Sequence, residues 1–242
     1  DNQFQSVEAH NLRMAMEAVS GQDLNWFFNQ WYFSKGHPSL EINRNYDAAK
    51  KEVVLTITQT QDPKENPAVF VLPMAVDIYT QDGKAPVREN IIMNKRKQTF
   101  RLASAVAPKL VITDADHYLL ANIEDERSEE ESVFQFYNAP LFYDRYMALE
   151  ALKSGNSAAA KKVKTDALKD KFWAIRNTAL SMINPTDDTS ILSTVAEMAA
   201  KDSRSQVKAS ALLLLAGSGD AKYASIAKNA VDNERAYSVV SA

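Results

Sequence analysis

The spacing of hydrophobic positions changes twice along this chain. From Phe4 to Val19 the apolar residues Val7, Leu12, Met14, Ala15, Ala18 and Val19 fall at helical intervals and stop before Ser20-Gly21. Between Gly21 and Pro38, residues Leu24, Phe27, Phe28, Trp31 and Tyr32 recur at three- and four-residue steps, the signature of one helix face. Trp26 and Phe33 widen that face into an aromatic stripe that calls for burial. Gly36 accepts the positive φ that ends a helix and Pro38 cannot continue one, so the pattern predicts a helix ending near Ser34 and a turn after it. Trp26, Trp31, Gly36 and Pro38 are the structural anchors of this stretch.

From Ser39 the period drops from 3.6 to 2. Leu40, Ile42, Arg44 and Tyr46 alternate, Asp47 to Lys51 supply turn residues, and Val53, Leu55 and Ile57 alternate again, which predicts a hairpin. Pro63 to Pro67 reads as a loop. Phe70, Leu72, Met74, Val76 and Ile78 form the strongest strand pattern, and Pro73 on its other face places that strand at an edge or a bulge, because proline has no N–H for a ladder. After an Asp82-Gly83 turn, Val87 to Met93, Gln98 to Leu102, Leu110 to Thr113 and Tyr118 to Ala121 are shorter strands. This many short strands between turns predicts a small antiparallel β-sandwich.

The second change comes at Ser128, which with Glu131 has the spacing of a capping box, with Glu129 to Glu131 placing negative charge at a helix start. Beyond it the chain repeats. Arg145-x-x-Ala148-Leu149, Arg176-x-x-Ala179-Leu180 and Lys208-x-x-Ala211-Leu212 are spaced by about thirty residues, and Asp170, Asp202 and Asp232 stand six residues before Arg176, Lys208 and Ser238. Ile191, Leu192, Val195 and Met198, then Tyr223, Ile226, Ala227 and Val231, mark the intervening helices. The pattern predicts an α-helical, HEAT-like solenoid in which alanine permits close helix approach, leucine fills the seam and aspartate suits an N-cap.

Three segments follow: an αα-hairpin over 1–36, a β-sandwich over 37–124 and a helical repeat domain over 125–242. The two N-terminal helices are too small to be a domain and imply covering partners elsewhere. The chain opens without methionine and inside a helical pattern, as a piece of a longer protein does, and Ala242 falls inside a repeat unit.

Composition narrows the chemistry. Of 242 residues, 45% are hydrophobic and 24% charged, ordinary for a globular protein, and the formal charge of −3 with no basic stripe argues against nucleic acid as a partner. The lysines at 161, 162, 164, 169 and 171 read as solvated helix faces. There is no cysteine, which removes disulfides, thiolate metal sites and a cysteine nucleophile. The longest apolar run, Ala211 to Gly217, is too short to span a membrane.

The three histidines, His10, His37 and His117, stand in different segments, and no His-Glu-x-x-His pairs two imidazoles on one helix face. His10 reads as a helix-surface residue, His37 and His117 as turn residues. There is no Gly-x-Ser-x-Gly elbow and no glycine-rich phosphate loop. The carboxylate pairs Asp114 with Asp116, and Asp187 with Asp188, stand where turns and caps want them. One cluster invites a functional reading: Phe134, Phe136, Tyr137, Phe142, Tyr143 and Tyr146 surround Arg145 where sandwich gives way to helices. Phe136, Tyr137, Tyr143, Arg145 and Tyr146 are candidates for a groove wall or for a domain interface glued by aromatic area.

Trp31, Gly36 and Pro38, following Asp-Leu-x-Trp-Phe-Phe and preceding an alternating strand, resemble the end of the catalytic domain in zinc aminopeptidases of the aminopeptidase N-like family. Phe70-Val-Leu-Pro-Met74 and the Asp-Gly turn resemble that family's small β-sandwich, and the helices after 128 its C-terminal helical domain. The resemblance implies that the hairpin is left over from a thermolysin-like catalytic domain, and that zinc and the catalytic residues lie upstream, none of them in this chain; the family's Gly-x-Met-x-Asn substrate motif is missing here too. It implies an upstream catalytic domain and a peptide substrate as partners, with this fragment shaping access and inactive alone. The alternative is a protein-interaction scaffold, a peptidase-like protein that has lost its zinc ligands.

Overall fold

The computed structural model describes residues 3–185 and 189–242; the Asp187 and Asp188 pair lies outside the described residues. The chain divides into two compact units, Asp1–Glu126 and Arg127–Ala242.

The first unit begins with α1 (Ala9–Ser20) and α2 (Asn25–Trp31). Glu8 and Asn11 form a reciprocal capping box at the start of α1, and Gly21 ends it at φ 68°. Glu17 accepts the backbone N–H of Leu24 at 2.9 Å, which ties the helix to the turn that follows. The burial expected of these helices is met only in part. No residue of α1 is buried, and of the aromatic stripe only Phe28 is fully buried, whereas Tyr32 and Phe33 are largely exposed. The described chain offers these apolar faces little to pack on.

What does hold α2 is one edge of the sandwich. The ring of Trp31 lies 5.4 Å from that of Phe70, and the buried amide of Gln30 donates to the carbonyl of Val71 at 3.0 Å and accepts its N–H at 2.6 Å. Gln59 treats Phe70 in the same way, with both bonds at 2.8 Å, and Gln61 donates to the Pro67 carbonyl at 3.1 Å. Residues 67–71 lie outside the strands, so three glutamine side chains supply the bonds a neighbouring strand would have made. Gly36 follows at φ 82°, where a Cβ would meet the Asn66 side chain at 1.9 Å.

The sandwich comprises β1 (Ser39–Asp47), β2 (Glu52–Gln59), β3 (Leu72–Tyr79), β4 (Val87–Met93), β5 (Lys97–Ala103), β6 (Leu110–Thr113) and β7 (Asn122–Glu124). They form two sheets, ordered β5-β2-β1-β7 and β4-β3-β6. Leu40, Ile42, Val53, Leu55 and Ile57 of one sheet meet Leu72, Met74, Val76 and Ile78 of the other in a single core, as the alternating pattern requires. All pairings are antiparallel but one: β7 runs parallel to β1 over three residues. Arg44 of β1 secures that short pairing by an ion pair with Asp125 and a 2.9 Å bond to the Glu126 carbonyl.

Two expectations are corrected here. Strand β3 is central, not an edge; Pro73 is accommodated because β6 pairs only with Val76–Tyr79, leaving the start of β3 laddered on one side, to β4. Tyr118 to Ala121 is not a strand. Asp114, buried and at φ 52°, takes the N–H groups of Tyr118 and Leu119 on its carboxylate at 3.2 and 3.1 Å, and this local capture competes with a ladder.

The second unit is helical: α3 (Glu129–Asn138), α4 (Phe142–Ala151), α5 (Ala158–Ala167), α6 (Trp173–Ser181), α7 (Leu192–Lys201), α8 (Ser205–Ser218), α9 (Ala224–Asn233) and α10 (Tyr237–Val240), with short 3-10 turns before α7 and α9. Ser128 caps α3 and exchanges bonds with Glu131, the expected capping box. Helices α4, α6, α8 and α10 pack in succession, α3 against α5 and α7 against α9. Ala148, Leu149, Ala179, Leu180, Ala211 and Leu212 are all buried in one core, so the repeated Ala-Leu pairs form the seam.

Candidate functional site

The aromatic cluster is built on the first helices of the second unit. The turn at Pro140 and Leu141 lets α3 and α4 pack side by side, and Gln135 bonds the Asp144 carbonyl across them at 2.8 Å. Phe134 and Phe136 are both buried, Phe136 within the core of the unit and edge-on to Tyr137 at 5.3 Å. Tyr137 is about half exposed, and its hydroxyl donates to Asp166 of α5 at 2.8 Å. Lys162 pairs with the same carboxylate and holds its ammonium 5.6 Å from the centre of the Tyr137 ring. Partial burial and the adjacent Asp166 carboxylate push the Tyr137 phenol up. Burial also acts to raise Asp166, but the bonds from Lys162 and Tyr137 outweigh it and hold this carboxyl below its usual range.

Tyr143 and Tyr146 stack at 6.3 Å with planes 27° apart, Tyr143 exposed and Tyr146 half-buried against the core. Phe142 packs on Phe172 at 4.5 Å, and Phe172 on Trp173 at 6.2 Å. Arg145 is buried. Its Nε donates to Asp170 at 2.7 Å and its Nη2 at 3.2 Å, a fork on a carboxylate in the loop between α5 and α6. Of the five candidates, then, Phe136 and Arg145 are interior, Tyr146 is partly covered, and Tyr137 and Tyr143 offer exposed ring faces.

Sequence reasoning missed the partners of this cluster. Asp170 and Asp202 do not occupy the N-cap positions, which fall to Phe172 and Arg204; each instead accepts the N–H two residues on and pairs with the basic residue of the preceding repeat. The pairs are Arg145 with Asp170, Arg176 with Asp202 and Lys208 with Glu234. Glu234, not Asp232, is thus the third member of the acidic series. A constant step from each basic residue to a carboxylate about 25 positions later was the available signal.

The histidines come together nowhere. His10 lies on the surface of α1, His117 sits in a turn at φ 53°, and His37 places its Nε2 3.1 Å from the Asn122 amide. Among the described residues no three His, Asp or Glu side chains are arranged to hold a metal ion, so the donor set does not fit zinc. No helix among them is long and apolar enough to cross a membrane.

An immunoglobulin-like sandwich followed by a layered helical array is the class this architecture defines. Residues 36–113 match a family described as a domain of unknown function, DUF3458, with an Ig-like fold. Among solved structures the chain is similar to aminopeptidase A of Legionella pneumophila, determined in complex with aspartic acid, with a TM-score of 0.72 and 12% sequence identity. The match covers 98% of this chain and 34% of that one, so this chain spans about a third of the enzyme's length. No curated protein sequence matches. The resemblance read from the aromatic helix and the strands after it therefore holds at the level of the fold.

Proposed function

We propose that this chain is the non-catalytic, C-terminal part of a zinc-dependent aminopeptidase, an enzyme that removes N-terminal residues from peptides. The observation that carries this reading is the near-complete coverage of the chain, helix pair, sandwich and helical array in one order, by the fold of an aminopeptidase three times as long. In this reading 1–36 close the catalytic domain, 37–124 form a spacer and 125–242 form a HEAT-like array whose exposed tyrosines, Tyr137 and Tyr143, face peptide or a neighbouring domain. The apolar faces of α1 and α2, open in the described chain, are then covered by the upstream catalytic domain. Zinc belongs to that domain, since the donors here do not fit it.

The purified chain, incubated with aminoacyl-nitroanilides with and without added zinc, releases no nitroaniline above the blank. Zinc-dependent turnover by this chain alone would overturn the proposal. Sequencing upstream of Asp1 tests the same proposal: an intact His-Glu-x-x-His is the expected finding, and its loss would instead leave the interaction scaffold as the better account.

A further inference from the structure

Of the three repeated charge pairs of the helical unit, those of Arg145 and Arg176 are links of one chain of bonds. Arg145, besides its fork on Asp170, donates through Nη1 to the Pro140 carbonyl at 2.9 Å. Arg176 repeats the arrangement, with two bonds of 2.8 Å to the Asp202 carboxylate and a third of 2.8 Å from Nη1 to the carbonyl of Asp170. Each arginine therefore ties the loop before its own helix to the loop before the next helix of the α4, α6, α8 row, and Asp170 belongs to both fastenings. Asp170 also accepts the N–H of Phe172 at 2.7 Å and Asp202 that of Arg204 at 2.9 Å, while Arg204 lies 5.9 Å from the Trp173 ring centre. Lys208, whose charge acts on Asp202, carries the series on to Glu234.

We infer that this charged edge is a mechanical relay: a disturbance of Arg145, inside the aromatic cluster, is passed through Asp170 and Arg176 to Asp202 and the start of α8. The groups are shielded, with side chains of Arg145, Asp170 and Asp202 less than a tenth exposed, so solvent does not screen the links from one another. The two arginine links are directional forks that a displaced partner cannot satisfy, and together they make a contiguous physical network of the kind that can carry coupling between distant sites. Occupancy of the surface around Tyr143, on the same helix as Arg145, is in this way felt two repeats away.

The reporter is the amide of Arg204, bonded to Asp202 and three helices from Arg145 in the sequence. Hydrogen exchange on the full chain is compared between Arg145→Leu, which breaks the first link, and Leu149→Ala, which removes core packing from the same helix and leaves the charges in place. At matched global stability, Arg145→Leu speeds exchange at Arg204 and Lys208 by about tenfold over Leu149→Ala. Identical profiles in the two variants would overturn the relay. Should Arg145→Leu fail to fold, Arg145→Lys, which keeps the charge and loses the fork, serves the same comparison with the same two outcomes.

Discussion

At the scale of single residues, the side chains that matter most to the first unit are amides. Gln59 is fully buried and satisfies both the N–H and the carbonyl of Phe70. Replacing it with alanine strands two buried backbone groups at roughly 1–3 kcal/mol each. Gln59→Ala should therefore lower the urea midpoint by an amount equivalent to about 2–6 kcal/mol with its slope unchanged. Trp31 is a milder case. Only half-buried, though 5.4 Å from the Phe70 ring, it should cost about 2–3 kcal/mol on truncation to alanine, below the range for a fully buried tryptophan. An unchanged thermal midpoint in Trp31→Ala would show that α2 contributes nothing to the unit. None of these bonds was legible in the sequence, because Gln30 and Val71 are 41 residues apart and no local period marks an amide that will meet a backbone.

At the scale of elements, the sequence pattern was readable wherever a local rule fixed the outcome. Alternation located β1 to β3, because a buried face admits only one register, short apolar runs between turns located β4 to β6, and the capping box located the start of α3. It misled at Tyr118 to Ala121, where Asp114 captured the backbone, and at Pro73, where the length of β6 decides whether a proline is tolerated. The thirty-residue cycle placed the Ala-Leu seams but misread the acidic positions as caps. Their real partners show in a cost: Arg176→Leu leaves the Asp202 carboxylate shielded and unpaired, a loss of about 3–5 kcal/mol, whereas the double variant Arg176→Leu, Asp202→Leu removes both charges and recovers most of it. A double-mutant cycle on the unfolding midpoint checks this; additive losses would mean the pair is no more than a surface contact.

At the scale of the whole molecule, the two units carry buried carboxylates of opposite character, and this sets how each responds to acid. In the helical unit burial pushes Asp202 up, but the fork from Arg176 and the Arg204 N–H outweigh it and hold the carboxyl below its ordinary range. Its contribution is fully present above the unfolded value, about 3.9, and is lost as pH falls through the lower folded value. In the sandwich unit burial dominates at Asp114 and raises it, against the bonds from Leu119 and Tyr118. There the folded state binds the proton more readily than the unfolded one, so acidification from above the folded value down to about 3.9 relieves a penalty instead of adding one. Asn in place of Asp removes either titration and keeps an acceptor oxygen. Asp202→Asn should thus be less stable than the parent at pH 7, with the gap closing toward pH 2. Asp114→Asn gives up one of the two N–H bonds from Tyr118 and Leu119 and carries that cost at pH 7, and its standing against the parent should worsen further as the pH falls and the parent's penalty is relieved. Urea midpoints from pH 7 to pH 2 on both variants read the two signs directly, and a parallel response of the two would show that burial, not pairing, governs Asp202 as well.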